Sequence, residues 1–99
     1  MVYFEWDLAK AERNLRIHGI SFEDVRPVFY DSYRLTQEDS VVDGEIRWRT
    51  VGMMLGATIV LVVHLEEDFG SDLFVRIISA RRATPGERSD YEQNRANDF

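Results

Sequence analysis

Apolar residues recur along this chain with two periods, and the switches between them predict its elements. Val2, Phe4 and Trp6 alternate with Tyr3 and Glu5, as in a half-buried strand. From Leu8 the spacing lengthens. Leu8, Ala11 and Leu15 predict the apolar stripe of a helix that Asp7 caps, running to about His18 with Gly19 as its left-handed stop. Lys10, Asn14 and His18, four apart, fall on a different, polar face. Ser21 reads as a second N-cap, stapled by Ile20 and Val25, with Phe22, Val25 and Phe29 expected in the core. Pro27 removes a backbone donor inside this second helix, so the element should be short or bent.

After Asp31 the pattern becomes that of a sheet. Tyr33–Thr36 predicts a short strand and Gln37–Glu45 a polar, acidic loop. Ile46–Met53 alternates, setting Arg47, Arg49 and Val51 on one face and Ile46, Trp48 and Thr50 on the other. Ile59–Leu65 is almost wholly apolar, as in a strand buried on both faces. Glu66–Asp72, containing Gly70, is expected as a hairpin loop, and Leu73–Ala80 as the antiparallel return. Thr84, Pro85 and Glu87 form a capping box for a last helix to about Arg95, apolar mainly at Tyr91 and so largely on the surface. The order predicts one α+β domain over residues 1–99: a mostly antiparallel twisted sheet, two N-terminal helices packed on one face, and a C-terminal helix.

Composition narrows the class. A 44% hydrophobic and 12% aromatic content suits a folded domain rather than a disordered one. With no cysteine, disulfides and thiolate zinc sites are excluded, which fits a reducing compartment. The longest apolar run, Ile59–Val63, is too short to span a bilayer, and Glu5 and Asp7 interrupt any signal-peptide pattern. A cytoplasmic protein without membrane contact is expected. The formal charge of -6 argues against a nonspecific polyanion binder. The charge is uneven, however. Residues 53–72 carry four acids and no base, whereas residues 73–99 carry five arginines against four acids. Any nucleic-acid contact should therefore be confined to one face.

The segment Arg76–Thr84 is the main chemical signal: a strand ending in Arg81 and Arg82 beside a helix start, a combination suited to phosphate or carboxylate recognition. The acidic run Glu66, Glu67 and Asp68 with Asp72 does not match a calcium-loop spacing and reads as a solvated turn. No metal and no cofactor are expected.

Four blocks in order carry a resemblance. Phe4-Glu-Trp-Asp7 with Lys10, Asn14, His18, Gly19 and Phe22 resembles the opening signature of the BrnT family of bacterial toxins. Gly44, Glu45, Arg47 and Gly52, then His64, then Arg76-Ile-Ile-Ser-Ala-Arg81 with Ala83, Glu87 and Tyr91, resemble the rest. Ile17 departs from the pattern, which usually has lysine there. The resemblance implies a RelE-like fold and a metal-independent endoribonuclease. It also implies a cognate ribbon-helix-helix antitoxin that occludes the toxin in a hetero-oligomer and represses their shared operon.

Cleaving RNA without a metal uses the 2′-hydroxyl as nucleophile, so the site must move two protons and hold the charge of a phosphorane. Arginine suits the last task and, being always protonated, not the first two. Arg47, Arg76, Arg81 and Arg82 are therefore candidates for transition-state stabilisation, against the alternative of surface ion pairs with Glu87, Asp90 or Glu92. His64 is a candidate base or a satisfied core histidine. Glu87 and Tyr91 are a candidate carboxylate and phenol, or simply a cap and a packing residue. Lys10, Asn14, His18 and Arg49 are candidates for RNA binding. For Lys10 and Arg49 the alternative is a solvated face, and for His18 a favourable helix C-terminus. The rival reading is a noncatalytic homologue that docks an acidic or antitoxin partner.

Overall fold

Residues 1–97 are described by the computed structural model, and the expected element order is present with longer strands. The elements are β1 (Val2–Trp6), α1 (Leu8–His18), α2 (Phe22–Val25) with a 3₁₀ turn (Arg26–Tyr30), β2 (Leu35–Val42), β3 (Glu45–Met53), β4 (Ile59–Asp68), β5 (Leu73–Arg82) and α3 (Pro85–Ala96). The five strands form one sheet in the order β1-β5-β4-β3-β2. β2 to β5 are antiparallel neighbours, and β1 joins the edge parallel to β5.

Local chemistry explains the boundaries. Asp7 accepts from the Lys10 amide at 3.1 Å, and Gly19 closes α1 at φ 70°. Ser21 caps α2, and Pro27 confines it to a single turn that tightens into the 3₁₀ segment, the short element expected. The acidic loop expected at Gln37–Glu45 is instead a hairpin that turns only at Asp43 and Gly44. Both have positive φ (52° and 77°), as a two-residue hairpin turn requires. Tyr33 lies ahead of the strand. Glu66, Glu67 and Asp68, expected in a loop, extend β4 through pairs with Val75, Phe74 and Leu73. Backbone pairing overrides the low strand propensity of these acids.

Two cores lie on opposite faces. Val60, Val62, Val75, Ile77 and Ala80 pack against Ile20, Phe22, Val25, Val28 and Phe29, so α1, α2 and the 3₁₀ turn cover one face. On the other, Val51 and Leu61 pack against Tyr91 of α3. The final helix thus covers part of the second face and leaves the rest open. The α1 stripe is also corrected. Leu8 is 75% and Leu15 51% exposed, while Asn14 is the buried residue of the helix. Its amide nitrogen donates to the Ile20 and Ala80 carbonyls (3.0 and 2.9 Å), and its oxygen accepts from the Ala80 amide (3.0 Å). Asn14 is a bolt between α1 and β5 rather than an RNA contact.

At Gly52 the 3₁₀ turn approaches β3 so closely that an added Cβ would meet Val28 Cγ1 at 2.9 Å. Gly52→Ala is therefore expected to lower unfolding free energy by about 1–3 kcal/mol through overpacking, read from the midpoint of urea unfolding.

Candidate active site

A β-bulge decides which arginines act together. Val63 pairs with Ser79 but His64 pairs with Ile77, leaving Ile78 unmatched in β5. Unbroken alternation would put Arg76 and Arg82 on one face and Arg81 on the other. The extra residue reverses the phase. Arg81, opposite Leu61, joins Arg76 on the open face. Arg82, opposite Val60, goes to the helix-covered face, where it is exposed at the strand end. The two adjacent arginines therefore do not form one anion clamp, which corrects their joint assignment. Arg47 and Arg49 alternate with Thr50 and so also project from the open face, Arg49 opposite Val63.

Arg81 is fixed by Glu87. Its two terminal nitrogens donate to Glu87 Oε1 (2.8 Å) and Oε2 (3.1 Å), a planar two-point pair. Glu87 Oε1 also accepts from the Thr84 amide at 2.9 Å, completing the expected capping box, and Thr84 Oγ1 accepts from the Glu87 amide at 3.2 Å. The Arg81 bond, reinforced by Thr84, holds the Glu87 carboxyl down at about 2. Arg49 lies against its cross-strand neighbour Gln37; with the Gln37 amide assigned so that its oxygen faces the guanidinium, that oxygen accepts from both Nε and Nη2 at 3.2 Å. Among the described residues neither Arg47 nor Arg49 is in a salt bridge. Arg76, by contrast, pairs with Glu5 at 3.3 Å.

The expected proton-transfer groups are buried. Tyr91 is 2% exposed. Its hydroxyl donates at 2.6 Å to Asp31 Oδ2, which also accepts from the Met53 amide at 3.0 Å. Burial, then the Asp31 bond, pushes the phenol up to about 12. Tyr91 thus docks α3, and Asp31, which no sequence motif marked, ties α3, the 3₁₀ turn and β3 together. His64 is wholly buried on the helix-covered face, edge-on to Phe29. Its Nε2 lies 2.7 Å from Thr50 Oγ1, which lies 2.8 Å from Thr36 Oγ1, and its Nδ1 lies 3.7 Å from Glu66. Burial lowers its pKa to about 4. As placed, His64 faces the helix-covered side, and Tyr91, although on the same face as Arg81, is buried between α3 and the sheet with its hydroxyl tied to Asp31. Lys10 and His18 lie exposed on α1, across the sheet from Arg81.

The His64 shift has a pH consequence. A histidine that resists protonation when folded stabilises fully above its ordinary 6.5, and that stability is lost as pH falls from 6.5 through about 4. NMR should find the His64 ring neutral at pH 5.5, with unfolding free energy declining below pH 6.5. A charged ring in the native state at pH 6 would contradict its burial.

With this geometry established, comparison supplies the family. Residues 6–87 match the family model described as the ribonuclease toxin, BrnT, of a type II toxin-antitoxin system. The chain belongs to the BrnT family. A solved BrnT, the ribonuclease toxin of Brucella abortus at 1.1 Å resolution, is similar at 25% identity and a TM-score of 0.57, covering 85% of this chain and 97% of that one. Comparison with curated proteins gives no match. The α+β architecture read from the sequence agrees with this BrnT structure, and the family is one of ribonuclease toxins paired with antitoxins. No helix among the described residues is long and apolar enough to cross a membrane.

Proposed function

We propose that the protein is an active, metal-independent endoribonuclease that cleaves RNA by 2′-hydroxyl attack and is neutralised by a ribbon-helix-helix antitoxin. One observation carries this reading: the Arg81–Glu87 pair, held on the open sheet face that also presents Arg47 and Arg49. Arg47 and Arg49 bind the RNA backbone. Arg81 holds the scissile phosphate and stabilises the phosphorane, whose added charge a prepositioned guanidinium meets without reorganisation.

Proton removal follows from competition for the same guanidinium. In the free protein Glu87 is too acidic to act as a base, chiefly because Arg81 holds it. A phosphate that takes over the Arg81 fork withdraws that cause, and the carboxylate becomes basic enough to accept the 2′-hydroxyl proton. The leaving oxygen takes its proton from water at the open face. Glu87→Gln keeps an oxygen for Arg81 and Thr84 but cannot take a proton. It is expected to lower kcat about 100-fold and to remove the acid limb of the pH–rate profile. An unchanged acid limb in this variant would assign the base elsewhere.

The rival reading, a noncatalytic protein that only binds an antitoxin, is favoured by the burial of His64 on the helix-covered face and of Tyr91 between α3 and the sheet. It requires that neither the wild type nor the Glu87 variant cleave RNA.

A further inference from the structure

Beyond the arginines, the open face ends in a groove of about 630 Å³ with a different character. It spans the sheet from β1 to β3, between Tyr3 and Phe74 on one side and Glu45 and Ile46 on the other. Its floor is aromatic. Tyr3 and Phe74 stack with ring centroids 4.8 Å apart, and Phe69 meets Phe74 edge-on at 5.6 Å. These rings are 43%, 46% and 64% exposed, a contiguous apolar patch at the sheet end that α3 leaves uncovered. Three glutamates (Glu5, Glu45 and Glu67) present their side chains on the groove's face against one arginine, Arg76, which Glu5 already pairs, while the Glu66 carboxylate turns to His64 on the opposite face.

That charge selects the occupant. Single-stranded RNA binds aromatic platforms where positive charge tracks its backbone, and this groove repels a phosphate. A basic protein segment meets the opposite situation. Its guanidinium or ammonium lies over the Phe74 and Tyr3 rings, its alkyl stem covers Leu65, and Glu45 and Glu67 accept charge-assisted bonds. We propose that the antitoxin docks here, through an arginine- or lysine-bearing segment laid across the Tyr3–Phe74 platform and held by Glu45 and Glu67. The inference rests on the toxin reading and specifies the surface that serves it. The groove adjoins the open-face arginines, since Arg76 follows Phe74 by two residues on the same face of β5 and Arg47 stands two residues after Glu45 on the same face of β3. A segment seated in the groove therefore obstructs RNA approaching Arg47 and Arg81.

The test titrates the purified cognate antitoxin, and in parallel single-stranded RNA, into the wild-type protein, a Glu45→Lys, Glu67→Lys variant and Phe74→Ser. Circular dichroism checks that each is folded. Each variant is expected to weaken antitoxin binding at least about tenfold, with RNA cleavage by free toxin not reduced. Unchanged antitoxin affinity in both folded variants would overturn the docking site and leave the ribonuclease reading intact. Weakened RNA binding by Phe74→Ser, with antitoxin binding unaffected, would make the platform a nucleobase site instead. Failure of the wild-type protein to bind antitoxin would remove the toxin reading, and this inference with it.

Discussion

Arg81→Ala is expected to lower kcat/KM for RNA cleavage by about 100- to 1000-fold, while Arg82→Ala changes it by less than about threefold. The two residues are neighbours of the same type, so composition cannot separate them. The Ile78 bulge does, by sending Arg81 to the open face beside Glu87 and Arg82 to the opposite one. The loss at Arg81 should fall on kcat more than on KM, because the guanidinium does most for charge that builds only in the transition state. Initial rates on a fluorescent single-stranded RNA, with both variants verified as folded, give the comparison. Equal losses would mean that the phosphate sits at the strand end rather than on the open face.

Asn14→Ala should have the largest effect on stability, about 3 kcal/mol, read as a lowered midpoint in urea with the slope unchanged. The substitution leaves the Ile20 and Ala80 carbonyls and the Ala80 amide without their side-chain partner in a site only 6% exposed. Each such buried group costs about 1–3 kcal/mol when unmet, less what water entry recovers. Cleavage per folded molecule should stay near that of the wild type. Lost activity at full stability would restore Asn14 to the RNA-binding set.

Much of the fold was legible from period and punctuation. The Asp7, Ser21 and Thr84 caps, the Gly19 stop and the Pro27 break all act as their chemistry requires. The β2 arm of the β2–β3 hairpin was hidden because that strand is acidic and exposed. Its Asp43-Gly44 turn was the available signal. The site was less legible. A bulge leaves no mark in residue pattern, so the facing of Arg81 and Arg82 could not be read from alternation. Asn14 was assigned to a polar face because helical spacing cannot distinguish a buried, fully bonded amide from an exposed one. His64 and Tyr91 lie at positions where a core role and a catalytic role have the same residue type, and only exposure separates them. The aromatic groove did have a signal. Tyr3 and Phe74 occupy outward positions of their strands, where polar residues are the usual occupants.

In the proposed mechanism, arginines on the open sheet face let this BrnT-family chain cleave RNA without a metal. The decisive measurement incubates antitoxin-free protein with single-stranded RNA in EDTA and identifies the new ends. Cleavage to fragments with 2′,3′-cyclic phosphate termini, lost in Arg81→Ala, is the expected result. RNA that stays intact, or is cut equally by the Arg81 variant, would contradict it.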